Sequence, residues 1–112
     1  MSQRVQILLH AADLERAAAF YRDGLGLHLA MESPRRCELT CAGARIVLQP
    51  GEAGRDTGLA LEVDDLEAAL ARAIAAGTTL VAQDETSHER RAQICDTEGN
   101  LLYLAQPLRR FA

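Results

Sequence analysis

The sequence predicts an α+β fold: two βαβββ modules forming a curled mixed sheet, a cup, with the helices on its outer face. Three observations carry this prediction. Asp13-Leu14-Glu15 returns as Asp65-Leu66-Glu67, 52 residues later. Arg35-Arg36 returns as Arg90-Arg91, 55 residues later. Around each Asp-Leu-Glu the order of events is the same: an apolar strand-like run, an Ala-rich helix, then several short strands. A chain of 112 residues organised this way is one domain, 1–112. Module 1 covers about 1–50, a Gly-rich charged linker 51–57, and module 2 about 58–108.

The elements follow in order. Alternation over 5–11 assigns Val5, Ile7, Leu9 and Ala11 to one face of a strand, and Gln6, Leu8 and His10 to the other. Asp13 has the chemistry of an N-cap for a helix over about 14–22. Leu14, Ala17, Ala18 and Tyr21 recur there at helical spacing and should pack on the sheet. Gly24 and Gly26 end the helix. Short strands at 27–31, 36–41 and 45–49 follow, with Pro34 in the first connection and Ala42-Gly43 in the second. In the second half Leu59, Leu61 and Val63 form the packing face of a strand, with Gly58, Ala60 and Glu62 opposite. Asp65 caps a helix ending near Ala76-Gly77, and strands follow at about 79–82, 91–95 and 101–105. The segment Asp96-Thr97-Glu98-Gly99-Asn100 is rich in residues that form turns.

Composition narrows the function. A formal net charge of −4 argues against a phosphate-backbone binder, so no nucleic-acid partner is expected. No long apolar stretch and no signal peptide are present near Met1, and no membrane partner is expected. Cys37, Cys41 and Cys95 are an odd number, and they read as reduced thiols of a cytoplasmic protein. Cys37 and Cys41 lack further ligands at zinc-site spacing and read as small buried hydrophobes. With two Phe, two Tyr and no Trp, stacking platforms are scarce.

Taken in order, Asp13-Leu14-Glu15-Arg16, Phe20-Tyr21-Arg22-Asp23, Leu25-Gly26-Leu27, Leu61-Glu62-Val63-Asp64-Asp65-Leu66 and Asp96-Thr97-Glu98-Gly99-Asn100 resemble the vicinal-oxygen-chelate superfamily. That superfamily includes glyoxalase I, bleomycin-resistance proteins and extradiol dioxygenases, and the resemblance spans nearly the whole chain. It implies a cup around a ligand cavity, often completed by dimerisation. It also implies, for active members, a divalent metal held by one residue from each module's first strand and one from each last strand. Those ligands are usually His, Gln or Glu, a set suited to a hard to borderline cation.

The repeat allows each of those positions to be checked. In the family the first-strand ligand lies seven residues before the helix-cap Asp. That position is Gln6 in the first half, a type the family uses, and Gly58 in the second, which has no side chain. The last-strand position after the Gly-Asn turn is Tyr103, and its first-half equivalent is Val47. Valine and glycine have no side-chain donor, and a neutral phenol is a poor ligand for a non-ferric cation. The resemblance therefore implies a cup with no metal and no other cofactor; a divalent metal held by an atypical ligand set is the alternative.

The cup itself then becomes the expected site. Alternation turns Gln6, Leu8, His10, Arg36, Glu38, Thr40, Val47, Ala60, Glu62, Arg91, Gln93 and Tyr103 inward. His10 and Glu62 are repeat equivalents, candidates for a proton-transfer pair if they face one another. The other reading leaves both at strand ends near solvent. Arg36 and Arg91 are also equivalents, and two guanidinium groups in one cleft would favour an anionic ligand, a carboxylate or phosphate. Alternatively they lie on solvated strand ends or pair with Glu38 and Glu89. Tyr103 could donate a hydrogen bond from the cavity floor or fill the space a metal would occupy. His28 and His88 read as surface residues.

The expected function is metal-independent binding of a small molecule by a homodimer, with drug sequestration as the precedent within the superfamily. The absence of Trp weighs against bleomycin itself. A glyoxalase-like lyase or isomerase, or a dioxygenase-like enzyme, is the alternative. A domain that assembles with a partner protein is the third.

Overall fold

The computed structural model of the chain describes residues 3–108. The elements are β1 (Val5–Ala11), α1 (Leu14–Ala19), β2 (His28–Ser33), β3 (Arg36–Cys41) and β4 (Ala44–Pro50) in the first module. The second has β5 (Asp56–Glu62), α2 (Leu66–Ala75), β6 (Thr79–Glu85), β7 (Glu89–Cys95) and β8 (Leu101–Pro107). The expected mixed sheet is built in two halves of four strands, ordered β1-β4-β3-β2 and β5-β8-β7-β6. In each half the first strand runs parallel to the last, and the other pairs are antiparallel. The duplication read from the sequence is thus a duplication of topology.

Alternation explains why each half-sheet has one buried face. Leu9, Ala11, Cys37, Leu39, Ile46 and Leu48 point to one side of the first half, and Leu59, Ala92, Ile94, Leu102 and Leu104 to one side of the second. The helices cover these faces with Ala17, Ala18, Leu66, Leu70 and Ala73. Each such Leu or Ile taken fully out of water contributes about 1.5–3 kcal/mol. Val5, expected on the packing face, is 62% exposed because it lies at the very start of β1, beyond the helix that covers its neighbours.

Both caps are as the sequence predicts. Asp13 Oδ1 accepts from Arg16 N at 3.0 Å, and Asp65 Oδ1 accepts from Ala68 N at 3.1 Å. The first helix differs at its other end. Its α-helical part stops at Ala19, and Phe20–Gly24 forms a wider π-helical turn in which Leu25 N donates to Phe20 O. The neighbouring module fixes this geometry. A Cβ on Gly24 would lie 2.8 Å from Ala76 Cβ, and Arg72 Nε donates to Asp23 O at 2.7 Å. The widened turn seats Phe20 and Tyr21 together in the core. Several strands run longer than expected: β6 continues to Glu85, and β5 begins at Asp56, so the linker ends at Arg55. The outer strands β2 and β6 each carry a register shift, at Leu29/Met31 and at Leu80/Ala82. A bulge in an edge strand twists it away from unwanted pairing.

The turn 96–100 does more than reverse the chain. Asp96 is buried, and its carboxylate accepts from Glu98 N, Asn100 N, Asn100 Nδ2 and the Tyr21 hydroxyl at 2.7–3.0 Å. Asn100 Nδ2 also donates to His10 O at 2.9 Å, and Asn100 Oδ1 accepts from Gly54 N at 3.0 Å. Glu98, whose side chain is fully buried, accepts from Asp13 N, Thr97 Oγ1 and both Arg16 Nε and Nη2. Burial pushes the Glu98 carboxyl up, but these donors outweigh it and hold it below the usual glutamate range. The turn of module 2 therefore holds the first strand, helix cap and π turn of module 1.

Two predictions follow from this clasp. Asn100→Ala removes one donor from Asp96 and also leaves the His10 carbonyl and the Gly54 and Arg55 N–H groups without their partner, and should lower unfolding free energy by about 3 kcal/mol in urea titrations. Tyr21→Phe removes a single hydrogen bond to Asp96 and should cost less, about 1–2 kcal/mol. A loss below about 1 kcal/mol for Asn100→Ala would contradict the clasp. The second prediction concerns pH. A carboxylate whose folded pKa is depressed contributes stability above the unfolded glutamate value, and loses it as pH falls through the folded one. Glu98→Gln should therefore be less stable than the parent at neutral pH, with the difference shrinking as pH drops below the ordinary glutamate range. Urea midpoints across pH 3–7 check this.

Candidate functional site

The strand registers place all twelve expected residues on the half-sheet faces turned away from the helices. On the first half, Gln6, Leu8 and His10 lie opposite Arg45, Val47 and Gln49, and β3 adds Glu38 beside Val47 and Thr40 beside Arg45. On the second, Ala60, Tyr103 and Gln93 form one cross-strand row, and Glu62, Ala105 and Arg91 the next. The helices pack on the opposite faces, and on these Leu8 is 53% exposed although Val47 is fully buried.

The two faces differ in chemistry. On the first, Arg36 Nε donates to Glu38 Oε2 at 2.8 Å, and Arg45 Nη1 lies 3.5 Å from Glu38 Oε1. The Arg36 hydrogen bond, aided by the charges of Arg45 and Arg36, holds the Glu38 carboxyl below its usual range. On the second, Arg91 grips Asp84 through Nε at 3.0 Å and Nη2 at 2.6 Å, which lowers the Asp84 carboxyl. The Arg91 guanidinium also sits 5.8 Å from the centre of the Tyr103 ring. Gln93 Nε2 donates to the Tyr103 hydroxyl at 3.2 Å.

The structure gives each of the two arginines its own carboxylate partner. Each lies on its own half-sheet. Arg36 pairs with Glu38 as anticipated, whereas Arg91 pairs with Asp84, directly opposite on β6, and not with Glu89. Sequence reading missed Asp84 because it ended β6 at 82. It also missed Arg45, although two-residue alternation from Val47 would have found it. His10 and Glu62 are not brought together. The His10 ring packs over Gly51, and with Arg55, Asp56, Thr57 and Asn100 it lines a cleft of about 220 Å³ where the modules meet. Strand β5 starts at that cleft and carries Glu62 away to its far, exposed end. His28 and His88 are on the surface, and Cys37, Cys41 and Cys95 are free thiols.

The four positions at which the superfamily binds its metal do not offer a donor set here. Gln6 is exposed, Val47 is fully buried and has no donor atom, and Gly58 has no side chain. The Tyr103 phenol is engaged by Gln93. Among the described residues no three His, Cys, Asp or Glu side chains cluster in a way that could hold an ion. No helix among them is long and apolar enough to cross a membrane.

Duplicated βαβββ modules, helices on one side and an open sheet face on the other define a protein of the vicinal-oxygen-chelate class. The family model described as a Glyoxalase-like domain matches residues 6–105, and the chain belongs to that family. Among solved structures, it is similar to TnmS3, an antibiotic binding protein from Streptomyces sp. CB03234. The two are 28% identical, with 96% of this chain and 98% of that one covered at a TM-score of 0.79. A glyoxalase/bleomycin resistance protein from the same organism is 27% identical, with 93% and 100% covered and a TM-score of 0.75. A glyoxalase/bleomycin resistance protein/dioxygenase family enzyme from Burkholderia phytofirmans PsJN shares the fold, at a TM-score of 0.81, 24% identity and coverage of 96% and 100%. No curated protein matches the sequence.

Proposed function

We propose that this protein binds and sequesters a small molecule on the open faces of its half-sheets, without a metal and without turning it over. The observation that carries this reading is the second open face. There a partly buried phenol, Tyr103, is held by Gln93 and flanked by Arg91, at a position where catalytic relatives place a metal ligand. The similarity to an antibiotic binding protein over almost the full length of both chains supports the same reading. A binder needs complementary surface and a few oriented polar groups, and this face offers both. In this reading the protein acts in the cytoplasm, where its three thiols stay reduced. It acts as a homodimer whose second copy closes the cup over exposed Leu8 and Val5.

Two measurements test this. Native mass spectrometry of protein purified from its own cells, with elemental analysis, should find a retained organic molecule and substoichiometric metal. Stoichiometric Ni, Zn, Mn or Fe, whose removal abolishes a glyoxalase-type activity, would overturn the reading. In sedimentation velocity the parent should run as a dimer and Leu8→Glu as a folded monomer. A parent that is monomeric at tens of micromolar would remove the dimer from the proposal.

A further inference from the structure

The helices leave a groove of their own, on the side of the molecule away from the open faces. It has a volume of about 480 Å³ and lies between α1 with its π turn and the end of α2. Ala19, Phe20, Ala75 and Ala76 give it apolar walls of mostly small side chains. Arg16 and Arg72 bring it two guanidinium groups, one from each module. A cavity of this size, apolar with a few convergent polar groups, has the form of a small-molecule site.

Both guanidinium groups are held in place, and neither is fully engaged. Arg16 binds the buried Glu98 carboxylate through Nε at 2.8 Å and Nη2 at 3.1 Å, which leaves Nη1 without a partner among the described residues. Arg72 donates from Nε to Asp23 O at 2.7 Å, and its Nη1 and Nη2 have no partner there. Gly26 makes room for that guanidinium: at φ +72°, a Cβ would lie 2.9 Å from Arg72 Nη1. An arginine fixed in this way loses little rotamer freedom when an anion binds. The charges around the groove also fail to cancel. Asp23 is gripped by Arg22 at 2.8 and 3.0 Å, and Glu98 by Arg16, whereas no carboxylate of a described residue lies within ion-pair distance of Arg72. Three guanidinium groups thus face two carboxylates, a local positive excess on a chain whose net charge is −4. The carbonyls at the end of α2 would oppose an anion, but Ala73 O and Ile74 O are already met by Thr78 N and Gly77 N.

We propose that this groove is a second ligand site, and that it takes a small molecule with an apolar body and one carboxylate group. The body lies against Ala19, Ala75 and Ala76, and the carboxylate accepts from the free edges of Arg16 and Arg72. Those two arginines belong to different modules, so the ligand ties together the same elements as the Asp96 and Glu98 clasp and stabilises the folded chain by mass action. The site is independent of the binding proposed for the open faces.

The test titrates isotope-labelled protein with benzoate and with benzyl alcohol, which has the same ring and no charge, at constant ionic strength. Benzoate should shift the amide resonances of Ala19, Ala75, Ala76 and Thr97 saturably and raise the melting temperature, and benzyl alcohol should bind more weakly. Arg72→Gln keeps a donor for Asp23 O and removes the charge. It should weaken benzoate by about fivefold, the upper range of one exposed ion pair, and leave benzyl alcohol unchanged. Arg16 is left intact, since its loss would strand the buried Glu98 carboxylate. Ala75→Leu enlarges an exposed side chain that lines the groove, and should weaken both probes without disturbing the core. Absence of saturable shifts, shifts confined to open-face residues such as Gln93 and Tyr103, or an unchanged benzoate affinity in Arg72→Gln would each overturn the second site and leave the reading of the open faces as it stands.

Discussion

Everything that positions the open faces depends on one buried carboxylate. Asp96 is taken out of water in the turn between β7 and β8, which is costly unless every lone pair is met. Four donors meet it, two from its own turn backbone, one from Asn100 and one from Tyr21 of the other module. Burial first, then the Asp96 charge, drives the Tyr21 phenol far above its usual range, so it remains a protonated donor. Because one of the four donors comes from module 1, the turn is fully satisfied only against its neighbour. The register of β8 then follows from the turn, and Tyr103 is only three residues beyond Asn100. The placement of Tyr103 on its open face is thus tied to a charge buried elsewhere.

Duplication constrains the two faces of each half-sheet differently. The helix-covered face must stay apolar in both modules, because it supplies the burial that offsets the entropy of ordering the chain. The cap aspartates, Asp13 and Asp65, persist for a similar reason: unmet N–H groups at a helix start cost about 1 kcal/mol wherever they occur. The open faces carry no such requirement. One carries ion pairs built on Glu38, and the other a phenol held by Gln93 beside Arg91. Functional divergence has collected where stability asks least.

That division also sets what the sequence could reveal. Strands, caps and the inward face were legible because a two-residue period and an N-cap aspartate are local signals that packing reinforces. The π turn at Phe20–Gly24 was not, since it answers to Ala76 and Arg72, fifty residues away. The Asp96 and Glu98 contacts were hidden for the same reason: a turn motif announces a reversal, not its partners on another module. The expected His10–Glu62 pair shows a subtler limit. Repeat equivalents are related by a rotation, and a rotation brings two copies together only near its axis. His10 sits at the module junction beside the start of β5, so its equivalent at the end of β5 is carried away from it. The partners of Arg36 and Arg91 are set locally on each half-sheet, by Glu38 on the same strand and by Asp84 on the neighbouring one.

Binding without a metal, as proposed, has an energetic consequence. A divalent cation stabilises developing negative charge by several kcal/mol, which suits a reaction. One neutral hydrogen bond contributes about 0.5–1.5 kcal/mol net, too little to lower a barrier usefully but enough to discriminate ligands about tenfold. Affinity must then come from area. A ligand burying about 200 Å² of apolar surface against an open face would gain about 5 kcal/mol at 25 cal/mol per Å². On the open face of one protomer only one side of such a ligand is covered. A second face laid over it doubles the contact without any new chemistry, so tight sequestration and closure of the cup by a second copy are two demands of the same arithmetic.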